Sequence, residues 1–484
     1  MNEAQAMRVV MLSTWDSTGG AAKAAFRSHE ALVSAGVDSR MLVQTKSSAL
    51  ASVQAAPAIS TAELAGWEML QEQLINQNRS AVSKTYFSIG YPGVDLSEHA
   101  WVREADVIHL HWVAKFQSAV SLARLVRLGK PVVWSFHDQR AFTGGCHYSA
   151  GCRKYETDCT NCPQLREDRY GWPAAQLADQ AALWASERIT VVAPSQWMAE
   201  CARRSRLFCR SRVEVIPYSL ATEVFVPADR VAVRQKLGWP PAGCHLLFGA
   251  ARVGERRKGF EELRGALRYC LADTGFRARV AAGDIHLACF GEGDVAVDTD
   301  LPVRSLGYVG TDAAMAQIYA ASDLFILPTL EDNLPNTVLE AMSCGTPVVA
   351  FATGGVPDLV TDGVQGRLVP TGEVQQLGRA ILDLWRSPAT LVAMGHQCRQ
   401  RVINTYTARH QSAALLGLYR ELAPGAPLVR PGPAGEVGPA AAQVLARLTV
   451  ENVVGAVARE RALERLRQSR WVRLGKRMRM LKHE

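Results

Sequence analysis

Two acidic side chains, Asp332 and Glu340, are separated by seven residues in the segment EDNLPNTVLEAMSCGTPVVAF. Carboxylates accept hydrogen bonds from hydroxyl groups, so this pair is suited to binding a sugar. Between them, Asn336-Thr337 is predicted to begin a helix, and the unpaired N–H groups of a helix N-terminus can hold a phosphate. The same acids would also complement the helix dipole without any ligand. The segment therefore predicts either a site for a phosphorylated sugar or a plain helix start.

The elements around this segment are those of a parallel α/β sheet. Leu324–Leu327 is a short, continuous apolar run, which predicts a strand buried on both faces. Apolar residues at helical spacing follow it, Gly345 can end that helix, and Val348–Phe351 is predicted as the next strand. Ligands bind at the carboxyl ends of the strands in such sheets, which is where the two acids would lie.

The segment resembles the signature of the family 4 glycosyltransferases, which have a GT-B fold. That signature has two acidic residues separated by seven others, followed by AMxxGxPVVA. The match here runs from Asp332 to Ala350, with aspartate where glutamate is usual and Glu331 one position early. The resemblance implies an α/β chain of two Rossmann-like, doubly wound domains that face an interdomain cleft.

The resemblance also implies roles for individual residues. Glu340 would bind the ribose hydroxyls of a nucleotide sugar, and Asp332 with the backbone after it would bind the sugar. The donor-binding residues implied in this segment are Asn333, Leu334, Pro335, Asn336, Thr337 and Glu340.

The N-terminal part of the chain opens with a strand, a glycine turn and a helix. Residues 8–13 predict the strand, Gly19 and Gly20 the turn, and residues 21–34 the helix, which is the opening unit of a doubly wound sheet. The resemblance places both glycines at the cleft, near the donor phosphates and the acceptor. A plain strand-to-helix turn is the alternative.

His137 and Asp138 follow another predicted strand, residues 131–135. The resemblance implies a histidine here beside the reacting sugar, where its ring could orient donor or acceptor. Asp138 could fix the tautomer of that ring or assist proton removal from the acceptor hydroxyl. A turn capped by Asp138 with a solvated His137 is the alternative. Upstream, His109 and His111 share one strand face without an adjacent third ligand, which favours buried or cleft-lining histidines over a metal site.

Four cysteines, Cys146, Cys152, Cys159 and Cys162, lie in the Cys-rich loop of residues 144–163. Four thiolates satisfy tetrahedral zinc at about 2.3 Å, and such a site would stabilise a loop with little core of its own. A subset of the resembled family, bacterial polysaccharide and lipopolysaccharide transferases, carries this block of sequence. The role indicated is structural zinc, with disulfides or free thiols as alternatives.

In the second half of the chain, the resemblance implies that Arg252 and Lys258 hold the donor diphosphate and neutralise the leaving nucleotide. Glu255, Arg256 and Arg257 between them are predicted to form a solvated turn.

Further along, Gly291 of an FGEG turn would bring backbone to the cleft, and Tyr308-Val309 would lie beside the nucleotide base. The DTD triplet at 298–300 imitates a metal-binding motif of another transferase fold, but its polar surroundings predict an ordinary loop.

Length and composition fit two soluble domains with extensions. The 484 residues are 48% hydrophobic and 21% charged, and they contain no uninterrupted apolar run of membrane-spanning length. The N-terminus does not resemble a secretory signal, so a cytoplasmic location is predicted. Residues 457–484 carry seven of the eight net positive charges, so the rest of the chain is close to neutral. A nucleic-acid-binding surface on residues 1–456 is therefore not indicated, and no nucleic-acid partner is predicted.

The predicted domains are an acceptor domain (1–218), a nucleotide-sugar domain (219–405), a helix crossing back to the first domain (406–423), a proline-rich linker (424–440) and a tail (441–484). The basic, amphipathic tail is predicted to lie on an anionic membrane, and a solvated or partner-bound helix is the alternative.

The function predicted from these observations is transfer of a sugar from a nucleotide diphosphate sugar to a hydroxyl of a glycan or lipid-linked glycan. The resemblance implies retention of anomeric configuration, no catalytic metal and a role in cell-surface polysaccharide synthesis. A nucleotide-sugar epimerase of the same fold and a non-catalytic, membrane-associated scaffold are the alternatives.

Overall fold

The computed structural model of the chain describes residues 7–82, 85–90, 93–184, 186–293 and 301–423. The DTD triplet, the linker and the basic tail lie outside these ranges, so the predictions made for them stay predictions. Within the described ranges, no helix combines the length and the apolar character needed to cross a bilayer.

Strands and helices alternate through two successive domains. The first domain contains β1 (Arg8–Trp15), α1 (Gly20–Ser34), β2 (Asp38–Thr45), β3 (Val53–Ala55), α2 (Thr61–Leu74), α3 (Ala100–Glu104), β4 (Val107–Leu110), α4 (Ala119–Arg127), β5 (Val132–Ser135), α5 (Trp172–Leu183), β6 (Ile189–Ala193), α6 (Gln196–Arg204) and β7 (Val213–Val215).

The second domain and the helices after it contain α7 (Arg230–Lys236), β8 (Cys244–Arg252), α8 (Phe260–Ala272), α9 (Thr274–Ala281), β9 (Ile285–Glu292), β10 (Val303–Gly307), α10 (Asp312–Ala321), β11 (Leu324–Leu327), α11 (Asn336–Ser343), β12 (Val348–Phe351), α12 (Val356–Leu359), β13 (Gly366–Val369), α13 (Val374–Trp385), α14 (Pro388–Thr405) and α15 (Ala408–Leu422).

Both sheets are parallel and share one winding pattern. The first has the order β3-β2-β1-β4-β5-β6-β7 and the second the order β10-β9-β8-β11-β12-β13. Each therefore reverses direction beside its first strand, between β1 and β4 and between β8 and β11. A doubly wound sheet opens its ligand-binding crevice at the carboxyl ends of the strands flanking this reversal. The predicted fold class of two Rossmann-like domains is confirmed.

The central strands are fully buried, as their continuous apolar sequences predict. All four residues of β11 and of β12 are at most 3% exposed, and helices cover both faces of their sheet. Helix α13 places Leu377, Ile381 and Leu384 against this core.

The last described helix, α15, packs on the first domain rather than the second. Leu415, Leu418 and Tyr419 join the cluster formed by residues of β1, α1 and β2. The Tyr419 hydroxyl also lies 2.6 Å from Nδ1 of His109 in β4. Helix α15 therefore connects the end of the second domain to the core of the first.

Some predicted boundaries differ from the structure. The sequence VEVIPYS of residues 213–219 predicts a strand, but β7 ends at Val215, because Pro217 lacks an N–H group. The carbonyl of Pro217 instead accepts a hydrogen bond from Gln411 at 3.1 Å. The short edge strands β3 and β10 were not predicted, since their few residues lack a clear apolar run.

Candidate active site

A cavity of about 290 Å³ lies between the two domains, at the carboxyl ends of both sheets. Of the residues predicted for the site, those bordering it are Gly20, His137, Asp138, Lys258, Asp332, Asn333, Leu334, Pro335, Asn336 and Thr337. The described residues bordering it do not include the predicted Gly19, Arg252, Gly291, Tyr308, Val309 and Glu340. The structure therefore brings the central segment and the strand end at His137 together across one cleft.

Asp332 is the anionic centre of the cleft. Its Oδ2 accepts hydrogen bonds from Lys258 Nζ at 2.6 Å and from Arg257 Nη1 at 3.2 Å. Burial alone would raise the pKa of Asp332, but the charges of Lys258 and Arg257 hold that pKa below its ordinary value. The pKa of Lys258 is lowered by burial and by neighbouring Arg257. An ionised carboxylate thus neutralises two buried cations in the cleft.

Arg257 corrects the prediction of a solvated turn. Its side chain is only 16% exposed, borders the cleft, and lies with its guanidinium carbon 4.1 Å from the centre of the Tyr148 ring. The turn can come this close because Gly259 has a φ of 75°, and a Cβ there would lie 1.7 Å from the Pro328 carbonyl oxygen. Arg257 and Tyr148 were missed because a run of charges does not indicate which side chain points inward.

Arg252 lies at the surface. Its side chain is 80% exposed and its closest ion pair is with Glu292 at 3.8 Å. Tyr308 is also exposed, at 69%, and Gly291 allows β9 to pass close to the carbonyl of Ala250 in β8. The roles predicted for Arg252, Gly291 and Tyr308 stay predictions.

Glu340 lies on the buried side of α11 and belongs to a contact between the two domains. Its Oε2 accepts a hydrogen bond from the Tyr319 hydroxyl at 3.1 Å, and its Oε1 lies 3.7 Å from Arg27 Nη2 of α1. Arg27 and Lys23 also each bind Asp312, at 2.9 Å. Burial raises the pKa of Glu340. A ribose bound by Glu340 would therefore enter a site bounded by α1 as well as by the second domain.

His137 is held from both sides of its ring. Nδ1 lies 2.9 Å from the Tyr218 hydroxyl and Nε2 lies 3.0 Å from His111 Nδ1. Both ring nitrogens are therefore already engaged within the first domain, and His137 is 8% exposed. The contact it offers a ligand is the edge of an oriented, neutral ring rather than a free nitrogen.

Asp138 does not fix the tautomer of His137, which corrects one of its predicted roles. Its Oδ2 accepts from Trp112 Nε1 at 2.7 Å and lies 2.6 Å from His147 Nδ1. Its Oδ1 accepts from the backbone N–H of Arg140 at 2.9 Å, so the turn cap of the alternative is present. The solvated His137 of that alternative is not, because His137 is buried. Burial would raise the pKa of Asp138, but His147 and these hydrogen bonds hold it below its ordinary value, which makes Asp138 a weak base.

Asn333 links the two walls of the cleft. Its Nδ2 donates to the carbonyl oxygens of Phe136 at 2.9 Å and His137 at 3.1 Å, while its Oδ1 accepts from Ser195 Oγ at 2.9 Å. Nearby, Asn336 at the start of α11 donates to the Gly20 carbonyl at 3.3 Å. These contacts fix the acidic segment of one domain against the strand ends of the other.

The four cysteines of the Cys-rich loop are free thiols and all border one small cavity of about 20 Å³. The number and type of side chains fit a zinc site. As placed, however, the described residues gather no group of three or more side chains that could hold an ion. The loop contains three non-glycine residues with left-handed backbone, Ala150, Cys159 and Asn161.

Acid lability is expected from the histidines buried in the first domain. Burial lowers the pKa of His29 and His137 to about 4 and that of His109 to about 3. The unfolded chain protonates these rings as the pH falls below 6.5, whereas the folded chain keeps them neutral. Stability is therefore full above that pH and is lost toward pH 4, by about 1.4 kcal/mol per pH unit for each ring.

Urea unfolding between about pH 7.5 and about pH 5 measures this loss. The variant His29→Gln removes one such ring, and its free energy of unfolding should fall less steeply with acidification than that of the parent chain. Equal slopes for the two chains would contradict the assignment.

Comparisons with known proteins cover both domains. A family model described as Glycosyltransferase Family 4 matches residues 18–223, and one described as Glycosyl transferases group 1 matches residues 246–387. A D-inositol 3-phosphate glycosyltransferase from Mycobacterium avium (strain 104) is 30% identical over 220 residues, covering 43% of this chain and 49% of the relative. The match thus spans about half the length of that curated relative.

Solved structures share the fold. A sucrose-phosphate synthase from Thermosynechococcus elongatus superposes with a TM-score of 0.58 at 19% identity, covering 86% of this chain and 99% of that chain. HepE from Anabaena, in complex with UDP and glucose, superposes with a TM-score of 0.56 at 17% identity, covering 86% of this chain and all of that chain.

Proposed function

We propose that this chain, which belongs to the family 4 glycosyltransferases of the GT-B fold, transfers a sugar from a nucleotide diphosphate sugar to a hydroxyl of a glycan or lipid-linked glycan. The observation that carries the proposal is the placement of buried Lys258 beside Asp332, in the cleft that the N-terminus of α11 also borders. An ammonium group and a helix N-terminus together suit a diphosphate. The UDP in the HepE complex supports a nucleotide sugar as the donor class.

In the proposed reaction, charge builds on the diphosphate as the glycosidic bond breaks. Lys258 and the backbone N–H groups at Asn336 and Thr337 would stabilise that charge, and because they are already positioned they need little reorganisation. Asp332 would bind the donor sugar, and the edge of His137 would face the reacting carbon. In line with the resemblance to the family signature, the proposed reaction uses no catalytic metal.

The sugar is proposed to keep its anomeric configuration, in line with the resemblance to the family signature. The proton–proton coupling at the anomeric carbon of the first-formed product measures this by NMR. A product of inverted configuration would overturn retention while leaving glycosyl transfer intact.

The acceptor is proposed to lie on the first-domain side of the cleft. Trp112, which donates to Asp138, stacks on Trp15 with ring centroids 4.9 Å apart, and both rings are partly exposed. Aromatic faces with a polar edge nearby suit a sugar ring.

The proposed acceptor is a lipid-linked glycan in cell-surface polysaccharide synthesis. The chain is proposed to bind it where the basic tail 441–484 meets an anionic inner membrane face. Sedimentation of the chain with phosphatidylglycerol vesicles tests whether the tail binds the membrane. Equal vesicle binding after deletion of the tail would overturn this role of the tail.

A panel of UDP- and GDP-sugars tests the proposed function directly. We expect wild-type chain to bind UDP or GDP in calorimetry and to hydrolyse one donor slowly without acceptor. It should transfer that sugar when a glycan acceptor is added. Binding of the nucleotide without donor hydrolysis or sugar transfer, together with conversion of the donor to its epimer, would instead favour the epimerase. Absence of nucleoside diphosphate binding would favour the scaffold.

Zinc in the Cys-rich loop is proposed as a structural ion held by Cys146, Cys152, Cys159 and Cys162. Support comes from the small cavity that all four cysteines border. Metal analysis after exhaustive dialysis should find about one zinc per chain. Zinc at trace levels would overturn the assignment.

A further inference from the structure

Three consecutive basic residues occupy the turn before α8, and their side chains diverge. Arg256 points away from the cleft and forms two hydrogen bonds with Glu262, at 2.7 and 2.6 Å. Lys258 binds Asp332 inside the cleft, and Arg257 borders the same cavity. One turn therefore contributes two neighbouring cations to the cleft and one to the outside.

The guanidinium group of Arg257 is held in a fixed orientation. Its Nε donates to Glu255 at 2.7 Å, and its Nη1 donates to the Glu331 carbonyl oxygen at 3.1 Å and to Asp332 at 3.2 Å. Its Nη2 donates to none of the described residues. A positioned arginine with one unused N–H₂ group beside a lysine is suited to a phosphate oxygen, because the planar fork binds oxyanions with defined geometry.

Tyr148 supplies the surface on which Arg257 lies, and Tyr148 belongs to the Cys-rich loop. Cation–π contact at 4.1 Å stabilises the guanidinium in this orientation. The Tyr148 hydroxyl lies 3.5 Å from Asp332 Oδ1, at the long limit for a hydrogen bond. Loop and donor-binding turn are thus in direct contact across the cleft.

The same loop also holds the residue before Asp332. The backbone N–H of Ala150 donates to Glu331 Oε2 at 2.9 Å, and Ser149 Oγ donates to Oε1 at 3.3 Å. The left-handed backbone of Ala150, with a φ of 50°, lies at this contact. Tyr148, Ser149 and Ala150 therefore all contact the turn that carries Glu331 and Asp332.

We propose that Arg257 is a second diphosphate-binding residue of the donor site and that Tyr148 is its positioning residue, so that the Cys-rich loop forms part of that site. This inference rests on the proposed function, since it assigns a further group to the same donor. The proposal gives a role to the contact between the Cys-rich loop of the first domain and the turn of the second domain that carries Arg257 and Lys258.

Calorimetric titration with UDP, GDP, UMP and GMP tests the proposal in the full-length chain. Arg257→Gln should weaken binding of the diphosphate that wild type prefers by about tenfold or more. Binding of the matching monophosphate should change much less, because the lost interaction is with the second phosphate. Arg256→Gln, from the same turn, is the matched control and should bind both nucleotides as wild type does.

Two variants at Tyr148 separate its ring from its hydroxyl. Tyr148→Phe keeps the aromatic face and should bind the diphosphate within about twofold of wild type, whereas Tyr148→Leu should weaken it several-fold. Melting curves should show each variant folded. Equal weakening of diphosphate and monophosphate by Arg257→Gln, or unchanged diphosphate affinity, would overturn the inference while the proposed function stands. Failure of wild type to bind either diphosphate would overturn both.

Discussion

Replacing Lys258 by alanine is expected to lower the rate of sugar transfer by about 10²- to 10³-fold, with the fold intact. The Lys258 ammonium group is the cation closest to the carboxylate of Asp332, at 2.6 Å. It borders the same cleft as the N-terminus of α11, where the diphosphate is proposed to bind. Its contribution grows as negative charge develops on the leaving nucleotide, so the loss should fall mainly on kcat. Transfer from the preferred nucleotide sugar to the glycan acceptor measures the rate.

The fold should survive this change because Arg257 continues to pair with Asp332. Arg256→Ala is the control, since that side chain binds Glu262 outside the cleft. If Lys258→Ala retained a rate within about twofold of wild type, Lys258 would have to be removed from the site. A large loss for Arg256→Ala would show that the whole turn, rather than one charge, is required.

The sequence predicted the part of the site that lies on continuous local patterns. The run Leu324–Leu327 and the run Val348–Phe351 are strands with the boundaries expected, because a strand buried on both faces must be apolar throughout. Asp332 and the start of α11 therefore lie at a strand end, as the parallel sheet requires. His137 follows β5 for the same reason.

The parts that were not predicted depend on contacts between distant segments. Arg256, Arg257 and Lys258 look alike in sequence, and the divergence of their side chains depends on the tight turn at Gly259 and on Tyr148 of the other domain. Asp138 pairs with His147 rather than His137, because His137 is already held by Tyr218. Side-chain partners of this kind are set by tertiary packing, which local periodicity does not record.

Glu340 was located correctly by the sequence pattern, but its contacts were not predicted. Its spacing from Asp332 matches the family signature, yet its carboxylate is buried against Tyr319 and Arg27 and is not among the described residues that border the cavity. Arg27 comes from α1 of the first domain. The pattern therefore locates the acid on α11 but does not show that its environment includes a second domain.

The choice between the neighbouring acids Glu331 and Asp332 leads to a second large expected effect. Asp332→Asn should reduce transfer by about 10²-fold or more, since the carboxylate proposed to bind the sugar becomes a neutral amide of nearly the same shape. Glu331→Gln should retain most of the rate, because the glutamine amide has nearly the same shape and can still form hydrogen bonds with Ser149 and Ala150. The two acids also differ in charge state, since burial raises the pKa of Glu331 whereas nearby cations hold that of Asp332 low.

In Asp332→Asn, the affinity for a nucleoside diphosphate should not fall, although turnover does. In wild type the Asp332 carboxylate neutralises Lys258 and Arg257, so a diphosphate must compete with it for both cations. Asp332→Asn removes the carboxylate that pairs with buried Lys258 and leaves Arg257 paired with Glu255 alone, which should lower the melting temperature of the free chain. A nucleoside diphosphate supplies the missing negative charge, so its affinity and the rise in melting temperature it causes should equal or exceed those of wild type. A greater loss of turnover in Glu331→Gln than in Asp332→Asn would assign the sugar-binding role to Glu331 instead. Weaker diphosphate binding in Asp332→Asn would contradict the competition between the Asp332 carboxylate and the diphosphate.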